Sequence, residues 1–298
     1  MLLSIMQTSS KILPGTLYIV GTPIGNLRDI SLRALETLGM VGMIAAEDTR
    51  VTARLLEYHS LSKKLIPLHR HNEAATVKKI SSTLSQGISI ALVTDAGTPG
   101  ISDPGGLLVN RIRQLGHDVV PIPGPNAAVS ALSAAGIVTS QFLFYGFLPA
   151  SGQARRRELR NLVSLPYTLV FYEAPHRILD AIRDMLEVLG DRREITIARE
   201  LTKLFETIHV CALVDAIAWI EEDPNRQRGE FVLLLTGSDT LSQPGLSDQA
   251  QQTLSKLLEV LPLAKAVRLA ADLTGESRSL LYERALSLKK GWAEEKNS

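Results

Sequence analysis

The chain holds a single cysteine, Cys211, in 298 residues. That excludes an intrachain disulfide framework and a zinc site built from several thiolates. Its neighbours, His209-Val210 before and Ala212-Leu213-Val214 after, mark it as a core residue. No apolar run approaches the roughly 20 residues needed to cross a bilayer, so no membrane association is expected. Neither charge dominates: 32 basic against 31 acidic residues leave a formal charge of +1. A near-neutral total neither demands nor excludes nucleic acid, because a local basic patch can lie within it. The first residues, Met-Leu-Leu-Ser-Ile-Met-Gln-Thr-Ser-Ser-Lys, lack an early basic region and a small-residue cleavage pattern. No signal peptide is read there, and a cytoplasmic location is the default. A GxGxxG fingerprint and a P-loop are both missing, which argues against NAD and ATP. No arrangement of residues reads as a metal cluster.

What is present is an alternation of strands and helices, at a length that suits two α/β domains. Strands are expected over 16–20, 43–46, 65–68, 88–93 and 119–122. Helices are expected from Ser31, over 52–58, over 73–85, and up to Leu115. That order predicts a parallel sheet with covering helices. After the turn Pro121-Ile-Pro-Gly-Pro125, strands are expected over 142–146, 168–172, 194–198, 206–210 and 231–235. Helices are placed over 126–135, 156–163, 176–189 and 213–222. Two strands near 194–210 follow one another without a helix, which predicts a mixed sheet. The boundaries are thus a flexible 1–14, an N-terminal α/β domain over 15–122, a second over 123–237, a linker over 237–245, and a three-helix module over 246–292.

The densest signal is Ala91-Leu-Val-Thr-Asp-Ala-Gly-Thr-Pro-Gly-Ile-Ser-Asp-Pro-Gly-Gly106. A buried strand runs into a glycine-rich loop, with Asp103 placed to cap a helix and Pro104 at its first position. The glycines free backbone amides, and Asp95 and Asp103 accept from hydroxyl or ammonium groups. Loops at the carboxyl ends of parallel strands are where open α/β sheets bind small molecules. Leu17-Tyr-Ile-Val-Gly-Thr-Pro-Ile-Gly-Asn-Leu-Arg-Asp-Ile-Ser31 ends a strand in the same way, with Asp29 or Ser31 as cap. In Ala45-Ala-Glu-Asp-Thr-Arg50 the charged residues Glu47, Asp48 and Arg50 stand at the same edge. They fit a structural ion pair as well as substrate orientation or proton abstraction. Val120-Pro-Ile-Pro-Gly-Pro-Asn-Ala-Ala128 is either a hinge or a turn that lets backbone approach a ligand.

Further on, Phe171-Tyr-Glu-Ala-Pro-His-Arg177 closes a strand, with Tyr172 facing either a ligand ring or the core, and His176 reading as a surface residue. Ala198-Arg-Glu-Leu-Thr-Lys203 with Glu206 alternates charge in the manner of a solvated edge. Ala154-Arg-Arg-Arg-Glu-Leu-Arg160 is a basic run suited to phosphate contacts or to a plain solvated helix face. His69-Arg-His-Asn72 is a second cationic patch. The last 50 residues form three short amphipathic helices, 248–260, 263–273 and 277–287, joined in part by Thr274-Gly-Glu-Ser277. This helix–turn–helix-like arrangement fits a packing module or a nucleic-acid reader.

Taken together, these loops resemble the tetrapyrrole-methylase family of S-adenosylmethionine-dependent methyltransferases. Leu17–Ser31, Ala45–Arg50, Leu92–Gly105, Pro121–Ala127, Phe171–Arg177 and Ala198–Glu206 resemble its branch that methylates a cytidine 2′-oxygen in small-subunit (16S) ribosomal RNA. The likeness spans about residues 15–290. It implies the two-domain class III methyltransferase architecture with a small C-terminal helical module. It also implies S-adenosylmethionine in the cleft between the domains, a homodimer, and the 16S rRNA or small ribosomal subunit as partner. Carried over by motif, Pro23, Asp95, Ala96, Gly97, Thr98, Ser102 and Asp103 line the methionine and ribose side. Pro123, Gly124 and Pro125 sit at the interdomain edge, and Tyr172 and Gly229 approach the adenine. Glu47, Asp48 and Glu200 are the candidate bases, although a carboxylate is weak against a ribose hydroxyl and orientation contributes more. Arg50, Arg54, Arg155, Arg156, Arg157 and Arg160 are the candidate phosphate contacts. Two alternatives stay open: methylation of a porphyrin-like molecule on the same fold, and a cofactor-sensing RNA-binding protein without catalysis.

Overall fold

The computed structural model describes residues 12–69, 72–138, 141–238, 246 and 248–295. It divides into two compact units, one of Met1–Asn161 and Tyr167–Thr236, the other of Leu162–Pro166 and Gly237–Ser298.

The first unit holds two five-stranded sheets. Strands β1 (Leu17–Val20), β2 (Met43–Ala46), β3 (Leu65–Pro67), β4 (Ile90–Val93) and β5 (Val119–Ile122) form one, in the order β3-β2-β4-β1-β5. All four pairings are parallel. Helices α1 (Leu32–Met40), α2 (Thr49–Tyr58), α3 (Glu73–Ser85) and α4 (Gly106–Gln114) alternate with the strands. Because helices cover both faces, β2 and β4 are buried at every position and read as continuous apolar runs. Strand alternation sorts the core into two layers. Tyr18, Val20, Ile44, Ala46, Ala91 and Val93 meet Leu38, Leu55 and Leu56 on one face. Leu17, Met43, Ala45, Ile90 and Leu92 meet Ile80, Leu84, Leu108 and Ile112 on the other.

Side-chain caps start α1 and α2. Ser31 accepts from the Ala34 amide and Asp48 from the Arg50 amide, each stopping a strand–helix turn where a helix begins. Asp103, expected to cap α4, does not. The helix begins three residues later at Gly106, with Gly105 as N-cap at φ +125° and no side-chain cap bond. The Gly100 amide donates to the Pro104 carbonyl and Ser102 sits at φ +67°, so 100–105 closes a turn of its own before the helix starts.

The second sheet collects β6 (Phe142–Phe147), β7 (Thr168–Glu173), β8 (Glu194–Arg199), β9 (Thr207–Ala212) and β10 (Phe231–Leu235) in the order β6-β7-β10-β8-β9. Only β6–β7 is parallel, and the sheet is mixed as the adjacent strands near 194–210 imply. Helices α5 (Ala127–Ala134), α6 (Gly152–Leu162), α7 (Ile178–Leu189) and α8 (Ala216–Glu222) accompany it. Val170, Ala198, Val232 and Leu234 pack on Ala128 and Ala131 of α5. Cys211 is not in the core. It lies half-buried on β9, an edge strand with no fully buried residue. Its apolar neighbours reflect a β-forming sequence rather than burial on both faces.

The second unit contains α9 (Asp248–Val260), α10 (Leu263–Thr274) and α11 (Arg278–Glu295). They close around Ala250, Leu254, Ala266, Ala270, Leu281 and Ala285. Gly275 ends α10 at φ +72°, its amide donating to Ala271, which turns the chain toward α11. Among the described residues no helix is long and apolar enough to cross a membrane. Residues 1–11 and 239–245, which include most of the expected N-terminal tail and linker, lie outside the described residues.

Candidate functional site

In the order β3-β2-β4-β1-β5, the loops after β2, β4, β1 and β5 stand in a row along the carboxyl edge of the parallel sheet. They are bonded to one another. Thr22 and Gly97 exchange backbone hydrogen bonds of 2.9 and 3.1 Å, and the Thr22 hydroxyl donates to the Thr94 carbonyl. The Thr98 hydroxyl donates to Pro125 O at 3.2 Å, tying the β4 loop to the β5 loop. The Asp48 amide donates to Asp95 Oδ1 at 2.9 Å, and the Asp95 amide to Glu47 Oε2 at 3.4 Å. Gly21 and Gly124 touch main chain to main chain: a Cβ on Gly124 would lie 2.8 Å from the Gly21 Cα. Only glycine permits that approach.

This edge forms one wall of a cavity of about 310 Å³. Ile24, Ala96, Gly97, Thr98, Ile101, Ser102, Asp103, Asn126 and Ala127 come from the parallel sheet's loops and the start of α5. Phe147, Tyr172, Glu173, Ala174, Pro175, Leu201, Glu230, Phe231 and Val232 come from the second sheet. The volume falls at the lower end of small-molecule sites, roughly 300–1,000 Å³, and the wall is mainly apolar with a few polar groups, as such sites are. The Tyr172 hydroxyl accepts from the Ala128 amide at 3.2 Å, which pins the ring to the first turn of α5. Burial, with the Asp103 carboxylate nearby, pushes the Tyr172 phenol up. It stays neutral at physiological pH.

Of the residues expected to hold a cofactor, Ala96, Gly97, Thr98, Ser102, Asp103 and Tyr172 stand on this wall. Pro23, Pro123, Gly124, Pro125 and the exposed Asp95 do not line it but belong to the same bonded loops. Gly229 lies at φ +93° against the Glu200 side chain, one residue before the lining Glu230.

None of the three candidate bases is on the wall. Asp48 caps α2 and is gripped by the Arg50 guanidinium at 2.6 Å. Those bonds hold its carboxyl at about 2, a poor proton acceptor near neutrality. Glu47 accepts from the Asp95 amide. Glu200, at φ +51°, is bound by Lys203 at 2.7 Å and accepts from the Glu230 amide at 3.0 Å.

The arginine run does not form a four-charge patch. Arg155 is 4% exposed, its Nε donating to Asp184 at 2.6 Å, and Arg156 Nη1 donates to the same carboxylate. A helix places residues four apart on one face, and Arg155 shares the buried face of α6 with Leu159. Phosphate contact from Arg155 is therefore corrected to a structural role. Arg157 and Arg160 face solvent, as do Arg50 and Arg54. In the second basic patch, the His69 amide donates to Asn72, while Arg70 and His71 lie outside the described residues.

Twelve of the eighteen lining residues were not among the expected cofactor contacts. Asn126 and Ala127 directly follow the Pro-rich turn, and Leu201 lies inside the charged 198–203 stretch, so both carried a signal. Phe231 and Val232 belong to an ordinary apolar strand and carried none.

Comparison with known proteins agrees with this geometry. The profile for Tetrapyrrole (Corrin/Porphyrin) Methylases matches residues 16–217, and that for the RsmI C-terminal HTH domain matches 244–289. A Vibrio cholerae protein named Ribosomal RNA small subunit methyltransferase I is 49% identical over 280 residues, covering 93% of this chain and 97% of its own. A protein of the same name from Escherichia coli O157:H7 is 48% identical over 272 residues, covering 91% and 95%. Among solved structures, uroporphyrin-III-C-methyltransferase from Thermus thermophilus superposes with a TM-score of 0.51 at 20% identity, over 75% of this chain and 94% of that one. A cobalt precorrin-4 methyltransferase does so with 0.56 at 14%, over 75% and 95%. At those identities the two structures speak for the fold alone. Bonded strand-end loops, a cavity walled by both sheets and a match across most of the first unit converge: this chain belongs to the tetrapyrrole methylase family.

Proposed function

We propose that this protein methylates small-subunit ribosomal RNA, taking the methyl group from S-adenosylmethionine and placing it on the ribose 2′-oxygen of a cytidine. The observation that carries the reading is near full-length identity of 48–49% to proteins named for small-subunit rRNA methylation. Relatives of the same fold at 14–20% identity act on tetrapyrroles by name, and fold does not fix substrate.

The cavity suits the donor. The inner, buried part of its mainly apolar wall, away from the exposed Phe147 and Ile101, accepts a purine ring, Thr98, Ser102, Asp103 and Glu230 offer partners for hydroxyl and ammonium groups, and Gly97 lets backbone close on the ligand. Asp95, Pro23 and Pro123–Pro125 lie in the bonded loops that carry that wall, and Gly229 directly precedes its Glu230. Bound there, S-adenosylmethionine supplies a methyl group already activated on a sulfonium. The protein's own task is alignment of the acceptor oxygen and exclusion of water, for which rigid, cross-bonded loops are well built. Proton removal is secondary, and Glu47 and Glu200 are the carboxylates near the site to test for it. Arg54, Arg157 and Arg160, with Arg50 beside Asp48, supply exposed cations for the RNA backbone. A homodimer working in the cytoplasm completes the proposal.

The test is transfer of labelled methyl from S-adenosylmethionine to small ribosomal subunits, free 16S rRNA and tetrapyrroles in parallel, with the modified nucleoside identified by mass. Label on a cytidine ribose is expected. Label only on tetrapyrrole defeats the RNA reading, and tight donor binding without transfer to any acceptor leaves a sensor.

A further inference from the structure

β6 holds one residue more than its partner strand can match. Phe144 pairs with Val170 and Phe147 with Tyr172, so four residues of β6 span three of β7. The surplus is taken up around Gly146, at φ +82°. Side chains alternate along a strand, so Phe144 and Phe147, three apart, would ordinarily face opposite sides. The bulge restores Phe147 to the side of Phe144. The two rings flank Tyr172, with centroids 5.0 and 5.6 Å away in edge-on contacts. Tyr145 is left on the other side, beside Phe171.

The outcome is an exposed aromatic ring on the cavity wall. Phe147 lines the cavity yet is 52% open to solvent, whereas Leu148 after it is buried. Its mount is stiff. Arg177 Nη2 donates to Leu148 O at 2.7 Å and Pro149 O at 3.1 Å, and Arg155 Nη1 donates to Ala150 O at 3.4 Å. Both guanidinia are anchored on buried carboxylates, Arg177 on Glu173 and Arg155 on Asp184. Single exposed apolar residues are common on this surface, but Phe147 is set apart by lining the cavity on a fixed mount, where its ring can meet something arriving from outside.

We propose that Phe147 is the platform on which the base of the target nucleotide stacks as its ribose enters the cavity. The inference rests on the rRNA-methylation reading. Proteins read single-stranded nucleotides by splaying the base out and stacking it on an aromatic face. Stacking is sequence-tolerant, so the ring positions the nucleotide rather than choosing it. Ile101, 41% exposed, is a second open apolar residue lining the same cavity.

The experiment uses the full chain, small ribosomal subunits and labelled S-adenosylmethionine, with Phe147→Ala, Phe147→Leu and Phe147→Trp compared to wild type. Loss of the ring in the alanine and leucine variants should raise the KM for subunits by about tenfold or more, and tryptophan should restore it. Donor affinity, read by calorimetry, should stay within about twofold throughout, since the ring is assigned to the acceptor. Leucine performing as well as wild type would mean that only apolar bulk is needed, and the stacking role falls. A fall in donor affinity would give the ring to the donor's adenine instead, which also overturns it. An unchanged KM in the alanine variant defeats this inference alone. A wild type that binds the donor but labels no subunit defeats the underlying reading as well.

Discussion

The Lys203 ammonium sits 2.7 Å from the Glu200 carboxylate, and Glu230 approaches it from another side at 2.8 Å. The three charges close a turn in which Glu200 and Thr202 both hold left-handed backbone, φ +51° and +67°. Residues with side chains seldom adopt it. That turn puts Leu201 and Glu230 on the cavity wall.

Lys203→Met should therefore loosen the wall and lower stability by up to about 1 kcal/mol, the range for partly exposed ion pairs. Burial works to raise the Glu200 pKa, but the hydrogen bonds from Lys203 and the Glu230 amide, with the charges of Lys203 and Arg199, together outweigh it and the carboxyl titrates below its usual value. A carboxyl lowered in the folded state stabilises at neutral pH and loses that contribution as pH falls through its folded value. Thermal melts should show the largest deficit of the variant near neutrality, shrinking in acid. An equal deficit at every pH would show that the ion pair is not its source.

The arginines of α6 should separate by burial. Arg155→Ala leaves Asp184 buried with only Arg156 as partner, and should cost about 3 kcal/mol of stability. Arg157→Ala with Arg160→Ala should leave the melting temperature within about 2 °C, since exposed charges contribute little. The double variant should instead bind RNA more weakly, with a salt dependence flatter by about one for each phosphate it no longer neutralises. Filter binding across a salt series, beside thermal melts, checks both. A destabilised double variant or an unaffected Arg155→Ala would contradict the assignment.

At Gly124 an added methyl would meet the main chain of Gly21 at 2.8 Å. Gly124→Ala should force the β1 and β5 loops apart at a cost of about 1–3 kcal/mol, as overpacking does. Because those loops back the cavity wall, donor affinity should fall with it. Calorimetry and melts on the same preparation measure the two together, and a stable variant with normal affinity would show that the main chain gives way freely there.

For proton removal, Glu47→Gln, Asp48→Asn and Glu200→Gln should each keep methyl transfer within about tenfold, because a true general base contributes roughly 10²–10⁴. Asp48, held at about 2 by Arg50, should leave the pH–rate profile unmoved between about pH 5 and pH 9. A loss beyond about a hundredfold at one position, with donor affinity intact, would identify that residue as the base.

Much of the fold was legible because its strands are short, apolar and bounded by glycine and proline. Met43–Ala46, Val119–Ile122 and Phe231–Leu235 fall where alternation and turn residues put them. Loops that end strands were legible for the same reason, and six of the residues expected around a cofactor stand on the cavity wall. What escaped is what depends on a partner across space. Arg155 reads as surface charge until Asp184 is found beside it. Asp103 reads as a helix cap until Ser102 and Gly105 take left-sided backbone and insert a turn. Phe147 sits in a run of aromatic residues whose facing cannot be settled without the register of β6 against β7.

That register has a wider meaning. Parity, not distance, decides which ring of Phe-Leu-Phe-Tyr-Gly-Phe greets a visitor: pair the same residues regularly, without the irregularity at Gly146, and the strand's last phenylalanine turns away. The backbone turn at one glycine, which does not line the cavity itself, thus fixes what the mouth of this enzyme offers to its guest.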